Sequence, residues 1–414
     1  MKRLDRSLIG AVADQGIVSL GNFALNVILA RGLTAAGYGL FSVALSFILF
    51  FNTLHQALVT YPLSVRSAGA APAETPRLLA VAMLLTPLVA LACAPVLVGG
   101  LASVGDFGLA PCAFAALLAW QLQDAARRAA LARADYRAAI ATDLIRYIGP
   151  ATAMLALTGL IGARGAFLLI AGASLVASLP FLGMFLRGAG PALRGLGTEI
   201  AGHWKLAAPV LGANLLAALS VQWFLWLLAW RDDPGGAAAL VALTNIVAIA
   251  NPVIFGVENL LVPEVARAQP HLTFPGLLRL MGHRGLLCGG LIAPLFVLIL
   301  AFPERAARLF YGAATPYAGH AAELRLLVGA YVCILAAFVF GAVLRGYRAS
   351  GAVFRMQLYP ALFGLTAGSW LTWNYGVTGA CLSALLAGLL RAAVGFQSVL
   401  RLRLPGAPVL AASS

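Results

Sequence analysis

The chain reads as an all-α polytopic membrane protein: about 12 transmembrane helices in two parallel-topology six-helix repeats around a central cavity. Three observations predict this. The 414 residues are 62% hydrophobic and only 10% charged, with mean hydropathy +0.93, whereas soluble domains carry about 25% charged residues. The apolar runs reach the roughly 20 residues that a helix needs to cross a bilayer, and none of the ~10-residue alternating segments of a β-barrel is visible. Finally, the chain repeats itself. Gly165–Arg187 and Gly379–Arg401 are equal in length and align without a gap. Arg31 pairs with Arg231, Pro62 and Arg66 with Pro263 and Arg267, and Tyr136-Arg137-Ala138 with Tyr347-Arg348-Ala349. A duplicated helical bundle is the usual architecture of a secondary transporter.

The spans fall at residues 7–30, 38–63, 78–100, 107–125, 138–160, 165–187, 204–230, 237–262, 285–302, 320–344, 356–374 and 378–400; they are called spans 1 to 12 below. The expected organisation is an N-lobe over 1–187, a cytoplasmic linker over 188–203, a C-lobe over 204–403 and a flexible tail over 404–414. Net charge is +14, but Lys and Arg lie in short clusters between apolar runs, which argues for orientation in a membrane rather than for a nucleic-acid partner. With both termini cytoplasmic, six basic residues fall outside (Arg31, Arg164, Arg231, Arg305, Arg308 and Arg325) and the rest of the 28 inside, as the positive-inside tendency requires. The start, Met1-Lys2-Arg3-Leu4-Asp5-Arg6, is followed by Asp14, Gln15, Asn22 and Asn26, too polar for a cleaved signal peptide. Cys93, Cys112, Cys288, Cys333 and Cys381 sit in apolar runs without metal-ligand spacing and read as packing residues. No metal or cofactor is expected.

Polar residues form stripes inside the spans. Span 1 carries Gln15, Ser19, Asn22 and Asn26 on one helical face, with Asp14 alongside. Span 2 carries Ser42, Ser46, Thr53, Gln56 and Thr60, flanked by Asn52 and His55. Span 7 adds Asn214, Ser220 and Gln222, and span 8 adds Thr244, Asn251 and Glu258. Each such group is readily explained as interhelical glue, at ~0.6 kcal/mol per hydrogen bond. Their concentration on spans 1, 2, 7 and 8 points instead to a wet cavity. The candidate cavity residues are therefore Asp14, Gln15, Ser19, Asn22, Asn26, Arg31, Ser46, Thr53, His55, Gln56, Asn214, Gln222, Thr244, Asn251, Glu258 and Arg391.

Ionisable residues in or near spans are Asp14, Arg31, His55, Asp143, Arg146, Glu258, Arg325 and Arg391. A charge near the bilayer centre costs roughly 3 kcal/mol on insertion scales. Asp14 and Glu258 are the candidates for proton or sodium coupling, with a structural ion pair, for instance Asp143 with a neighbouring Arg, as the competing use of such charges. Arg391 could snorkel outward or, like Arg31 and His55, meet an anionic head group. No nucleotide-binding, zinc-binding or nucleophile-elbow pattern is present, which leaves transport driven by a gradient and disfavours an enzyme.

One stretch carries a family resemblance. Ser19-Leu-Gly-Asn22-Phe-Ala-Leu-Asn26-Val-Ile-Leu-Ala-Arg31-Gly-Leu followed by Gly37-Tyr38-Gly39-Leu-Phe41, and the Asp135-Tyr136-Arg137 turn, resemble the polysaccharide flippases of the MOP exporter superfamily. In the second half Asp232-Asp233-Pro-Gly-Gly stands where a second Tyr-Gly would be expected. The resemblance implies export of a polyprenyl-diphosphate-linked oligosaccharide from the cytoplasmic to the periplasmic leaflet of a bacterial inner membrane. Its implied partners are the lipid-linked glycan, membrane lipids and other polysaccharide-assembly proteins. A cation-coupled drug or metabolite antiporter of the same superfamily is the nearest rival, ahead of a membrane glycan enzyme or a non-transporting envelope scaffold. A major-facilitator transporter is disfavoured, because the loop from Val65 to Arg77 lacks that family's Asp-Arg-x-Gly-Arg pattern.

Overall fold

The computed structural model describes the backbone at 2–68, 70–71, 73–133, 135–157, 159–231, 233–269 and 273–402; side chains are described over the same ranges from residue 16 onward, except at 68, 209, 258 and 259. The described residues contain helices and connecting turns, and one helical stretch falls at each expected span. Span 1 is Lys2–Gly32. Span 2 is Ala35–His55, continued through a π turn at Gln56–Thr60 into Tyr61–Ala68. Span 3 is Thr75–Ser103 and span 4 is Ala110–Ala132. Span 5 is Tyr136–Asp143, a π turn at Leu144–Ile148 and Gly149–Ala156. Span 6 runs through Ala163–Ser178 and Leu182–Arg194, and span 7 is Leu196–Trp230. Residues 188–203, expected as a linker, are thus helical. Span 8 is Pro234–Ala248 and Asn251–Ala268, bent by 59° between them. Span 9 is Phe274–Ala301, span 10 is Ala321–Gly346, and spans 11 and 12 lie within Ser350–Leu400. The tail over 404–414 lies outside the described residues.

The breaks between spans have local causes. Thr34, Asp135 and Thr273 accept hydrogen bonds from the backbone N–H groups of Gly37, Ala138 and Gly276 at 3.1, 3.1 and 3.3 Å. These bonds cap the first turns of spans 2, 5 and 9. Pro62 and Pro150 each follow a π turn by two residues. A proline ring clashes with the carbonyl four positions earlier, and the wider turn makes room for it. Spans 11 and 12 turn about Gly376, at φ 58° and ψ −133°.

The outward surface of the helices is that of a lipid-facing protein. Span 9 exposes Leu286, Leu287, Leu291, Val297 and Leu298 along a 28-residue helix of hydropathy 2.1. A soluble monomer rarely leaves a continuous apolar face of this kind to water. Seven helices are long and apolar enough to cross a membrane, or eight with the bent pair of span 8. The part of span 1 with described side chains, Gly16–Gly32, is a shorter apolar helix. The chain is a multi-pass membrane protein.

Contacts divide the chain into a first unit of residues 1–222 with 232–238, and a second of 223–231 with 239–414. In the first, Val59, Leu63, Val81, Leu85 and Ala192 form one buried cluster of spans 2, 3 and 6, and Phe41 stacks on Phe167 at 4.7 Å. Close approach is made possible by glycine. A Cβ at Gly39 would overlap the Pro234 carbonyl, and one at Gly188 the Pro76 carbonyl. In the second unit, the connection after span 9 folds as a short helix, Pro303–Tyr311, whose Tyr311 hydroxyl donates to the Ala242 carbonyl at 2.8 Å.

Gly376 is the sharpest test of this reading. Its backbone conformation is one that L side chains avoid, at a cost on the order of 1–3 kcal/mol. Gly376→Ala is expected to lower the thermal midpoint of the detergent-solubilised protein by several degrees, whereas Gly172→Ala, with open space at its Cβ position, should leave it within error.

Candidate functional site

The residues singled out in the sequence separate into three groups. The first lies outside the described side chains: Asp14, Gln15 and Glu258. The second is bonded within the protein. Asn26 is buried, donates to the Asn22 carbonyl at 2.9 Å and accepts from the Tyr38 hydroxyl at 3.2 Å. Ser46 and Thr53 donate to the carbonyls of Val43 and Leu49 at 2.6 and 3.2 Å. His55 is 1% exposed and shares a 2.9 Å hydrogen bond with Thr86 of span 3. Asn26 with Tyr38 and His55 with Thr86 join different helices, as polar groups in hydrocarbon commonly do, whereas Ser46 and Thr53 bond within their own helix.

The third group is less enclosed or less satisfied. Ser19, Asn22, Asn214, Gln222 and Thr244 are half-buried, and Arg31 and Gln56 are exposed. Arg391 of span 12 has a buried Nε without a hydrogen-bond partner. It lies three residues after Gly388 and four before Gly395, whose Cβ positions face Ala330 and Cys333, and Phe340 and Met356. That register places Arg391 on the side of span 12 that packs against spans 10 and 11. A guanidinium has five donors and no acceptor, so its enclosed Nε calls for an anion or water.

Two charged clusters are more elaborate than the sequence reading anticipated. In span 5, Asp143 is fully buried; Arg127 Nε donates to its Oδ2 at 2.6 Å and Gln123 to its Oδ1 at 3.2 Å. The structural pair considered for Asp143 is therefore present. One turn on, Arg146 is 1% exposed, with its guanidinium carbon 3.9 Å from the Trp120 ring centre and 4.8 Å from that of Tyr147. Stacking between aromatic faces supplies part of what water would; Nε and one terminal nitrogen remain unpartnered. Gln121 reaches the Phe51 carbonyl at 3.4 Å, and its own carbonyl and the Asn52 amide have no partner either. Buried polar atoms in such numbers require water or a ligand.

The second cluster joins span ends. Glu199, in the first turn of span 7, meets Arg66 at 2.5 Å from the end of span 2 and Arg77 from the start of span 3. Arg66 also contacts His203 Nδ1 at 3.1 Å. Burial pushes the Glu199 carboxyl up, but the Arg66 hydrogen bond and the charges of Arg66 and Arg77 outweigh it and hold the group below its ordinary value of 4.5. Burial holds His203 below its ordinary 6.5. This cluster escaped the sequence reading because its members are more than a hundred positions apart; the only local sign is Glu199 and His203 at i, i+4 on one helical face.

Both shifts act in the same direction on stability. The unfolded chain binds a proton at His203 below pH 6.5 and at Glu199 below pH 4.5, before the folded protein does, so stability falls as pH falls through each window. Thermal midpoints should drop from pH 7 to pH 4, and Glu199→Gln with His203→Gln should flatten that slope; an unchanged slope would remove the cluster as its source. For the buried pair, Asp143→Ala removes the 2.6 Å partner of Arg127 and leaves it Asp124 at 4.0 Å; it is expected to destabilise by up to ~3–5 kcal/mol, read as loss of folded protein on size-exclusion chromatography.

No protein-family model matches the chain, and no curated protein matches it. Solved structures do. The chain is similar to an inward-facing multidrug resistance MATE family transporter of the MOP superfamily, at 15% identity and TM-score 0.73, over 94% of this chain and 97% of that one. It is similar to the lipid II flippase MurJ in an inward closed conformation, at 10% identity and TM-score 0.74, over 95% and 87%. A third is a MOP superfamily transporter from Pyrococcus furiosus, at 14% identity and TM-score 0.63, over 94% and 93%, whose binding pocket is described as having reverse polarity that suggests a different function. The chain carries the helical fold that these transporters share.

Proposed function

We propose that this protein is a membrane flippase that moves a polyprenyl-diphosphate-linked oligosaccharide from the cytoplasmic to the periplasmic leaflet by alternating access, for surface polysaccharide assembly. The fold alone is compatible with drugs and with lipid-linked glycans, since both MATE and MurJ are among its neighbours. The observation that carries the choice is Arg391. It is a cation inside the second unit with an unpartnered buried donor, whereas Arg284 of span 9 is held by both carboxylate oxygens of Glu264 at 2.7 and 2.9 Å. A diphosphate supplies the acceptors that Arg391 lacks, and fork-shaped donors suit phosphate oxygens. Half-buried Asn and Ser groups such as Asn22 and Asn214 suit sugar hydroxyls. His55, bonded to Thr86, is left out of head-group binding.

The cation-coupled antiporter remains the second reading because of the MATE likeness, with Asp14 and Glu258 as its ion-binding residues. In either case the protein is placed in the bacterial inner membrane with both termini in the cytoplasm, and acts by transport rather than catalysis.

The decisive experiment is a deletion strain. Its lipid extract should accumulate polyprenyl-linked glycan of full repeat-unit size, measured by mass spectrometry, while surface polymer is lost. Truncated intermediates would point to an enzyme acting earlier, and unchanged lipids would favour the antiporter. On complementation, Arg391→Gln should cut surface polymer about ten-fold or more at equal protein level, as loss of a charged hydrogen bond of ~1.5–3 kcal/mol predicts, with Arg391→Lys partly active. Transport insensitive to collapse of both the proton and sodium gradients would exclude coupling through Asp14 or Glu258.

A further inference from the structure

The two repeats balance their arginines differently. In the first unit Arg127 Nε pairs with Asp143 at 2.6 Å and Arg128 Nε with Asp124 at 3.7 Å, and Asp135 precedes the Tyr136-Arg137-Ala138 turn. The corresponding stretch of the second unit has no acid to offer. From Leu324 to Ser414 there is no Asp or Glu, while Arg345, Arg348, Arg355, Arg391, Arg401 and Arg403 all fall toward the end of spans 10 to 12 assigned to the cytoplasm. The preference of basic residues for that side explains arginines at a span end. It does not explain why no carboxylate accompanies them here, as carboxylates do in the first repeat.

Three of these arginines come together. Ser383 Oγ of span 12 donates to the Gly368 carbonyl of span 11 at 3.1 Å. Twelve residues nearer the span ends, the Met356 methyl packs at the Cβ position of Gly395. Spans 11 and 12 are therefore antiparallel and keep one register over this length. Six residues further on, that register sets Arg401 opposite Ser350. Arg355 reaches the same level, since its Nη1 lies 3.9 Å from the Cβ position of Gly351. Arg348 stands just before, and its carbonyl accepts from the Ser350 N–H at 2.9 Å. Arg348, Arg355 and Arg401 are all exposed. Arg348 is also the only non-glycine residue of positive φ among those described, at 56°. The Ala349 N–H bonds the Leu344 carbonyl at 2.8 Å, which is a helix ending where glycine usually stands. A guanidinium is thus kept at a position that glycine would occupy without strain.

The surroundings indicate which anion. The face of span 11 that carries Arg355 continues as Tyr359 and Leu362, at i+4 and i+7, and these are 43% and 50% exposed. An exposed Tyr–Leu stripe on a membrane helix faces acyl chains, with the tyrosine near head-group level. A lipid lying along it brings its phosphate to Arg355. Guanidinium forks suit phosphate oxygens and stay charged at any physiological pH.

We propose that this end of spans 11 and 12 binds the phosphate head group of a membrane lipid, held by Arg348, Arg355 and Arg401, with an acyl chain along Tyr359 and Leu362. The phosphate can belong to a phospholipid or to a polyprenyl diphosphate. In the second case the site is the first contact of the cargo on its way to Arg391, and that role rests on the function proposed above.

The test is native mass spectrometry of the full-length protein in detergent, titrated separately with a polyprenyl diphosphate, phosphatidylglycerol and zwitterionic phosphatidylcholine. One of the two anionic lipids should bind more tightly than phosphatidylcholine. Arg348→Gly should weaken that binding about five-fold, the factor equivalent to the ~1 kcal/mol of one basic residue at an anionic lipid surface. Its thermal midpoint should hold or rise, because glycine accepts the φ of 56°. Arg355→Gln combined with Arg401→Gln should abolish the preference. Arg137→Gln removes an equal charge from the counterpart turn of the first unit and should leave binding unchanged. Tighter binding of the diphosphate would identify the head group of the cargo, and tighter binding of phosphatidylglycerol a resident phospholipid; both support the site. Equal binding of all three lipids would overturn it, as would equal losses in Arg348→Gly and Arg137→Gln, the mark of general surface charge. A failure of the cargo reading would show separately, in the lipids of the deletion strain.

Discussion

Everything in this molecule follows from the absence of water around most of its length. A backbone surrounded by hydrocarbon has to satisfy its own N–H and C=O groups, and the described residues do so with helices, broken where a cap or a turn can take over. Thr34, Asp135 and Thr273 serve the exposed first turns of spans 2, 5 and 9, and Gly376 breaks the helix between spans 11 and 12 with its non-helical backbone. The π turns before Pro62 and Pro150 obey the same rule, since each proline removes a donor and displaces a carbonyl.

The rule extends to side chains, and it separates structural polar groups from those available to a ligand. Asn26, Ser46, Thr53 and His55 have partners inside the protein. Arg391, Arg146, Asn52 and the far edge of His203 have atoms without one. In a medium that offers no acceptors, an orphaned donor has a larger free-energy penalty than the hydrogen bond it replaces is worth. The orphaned donors are therefore better guides to ligand sites than the polar stripes are.

The sequence carried most of the fold for this reason. Span positions follow from hydropathy alone, and the turn between spans 11 and 12 falls at Gly376, between the two ranges expected for them. The Tyr38-Gly39 pair that opens span 2 also acquires a physical meaning: Tyr38 bonds Asn26, and Gly39 lets the chain pass the Pro234 carbonyl. What the sequence could not convey is the partner of each polar group. The i, i+4 spacing of a stripe is the same whether a serine faces a cavity or donates to its own helix, as Ser46 and Thr53 do. The Glu199 cluster depends on residues 66, 77, 199 and 203 meeting at one point, a coincidence of three span ends that no local pattern encodes.

The contrast between Arg146 and Arg391 sharpens the functional argument. Arg146 is unpartnered at two nitrogens, yet it lies between Trp120 and Tyr147 and one turn from Asp143. Aromatic faces and a nearby carboxylate compensate its charge in place, which makes it a fixed part of the first unit. Arg391 has neither: among the described residues no ring pairs with its guanidinium and no carboxylate forms an ion pair with it. Arg146 is 1% exposed, whereas Arg391 is half-buried with its Nε enclosed and unpartnered, and a charge at membrane depth tends to face a partner, a wet cavity or a ligand pathway. A negatively charged head group passing through the protein would meet that requirement at Arg391 and leave Arg146 undisturbed.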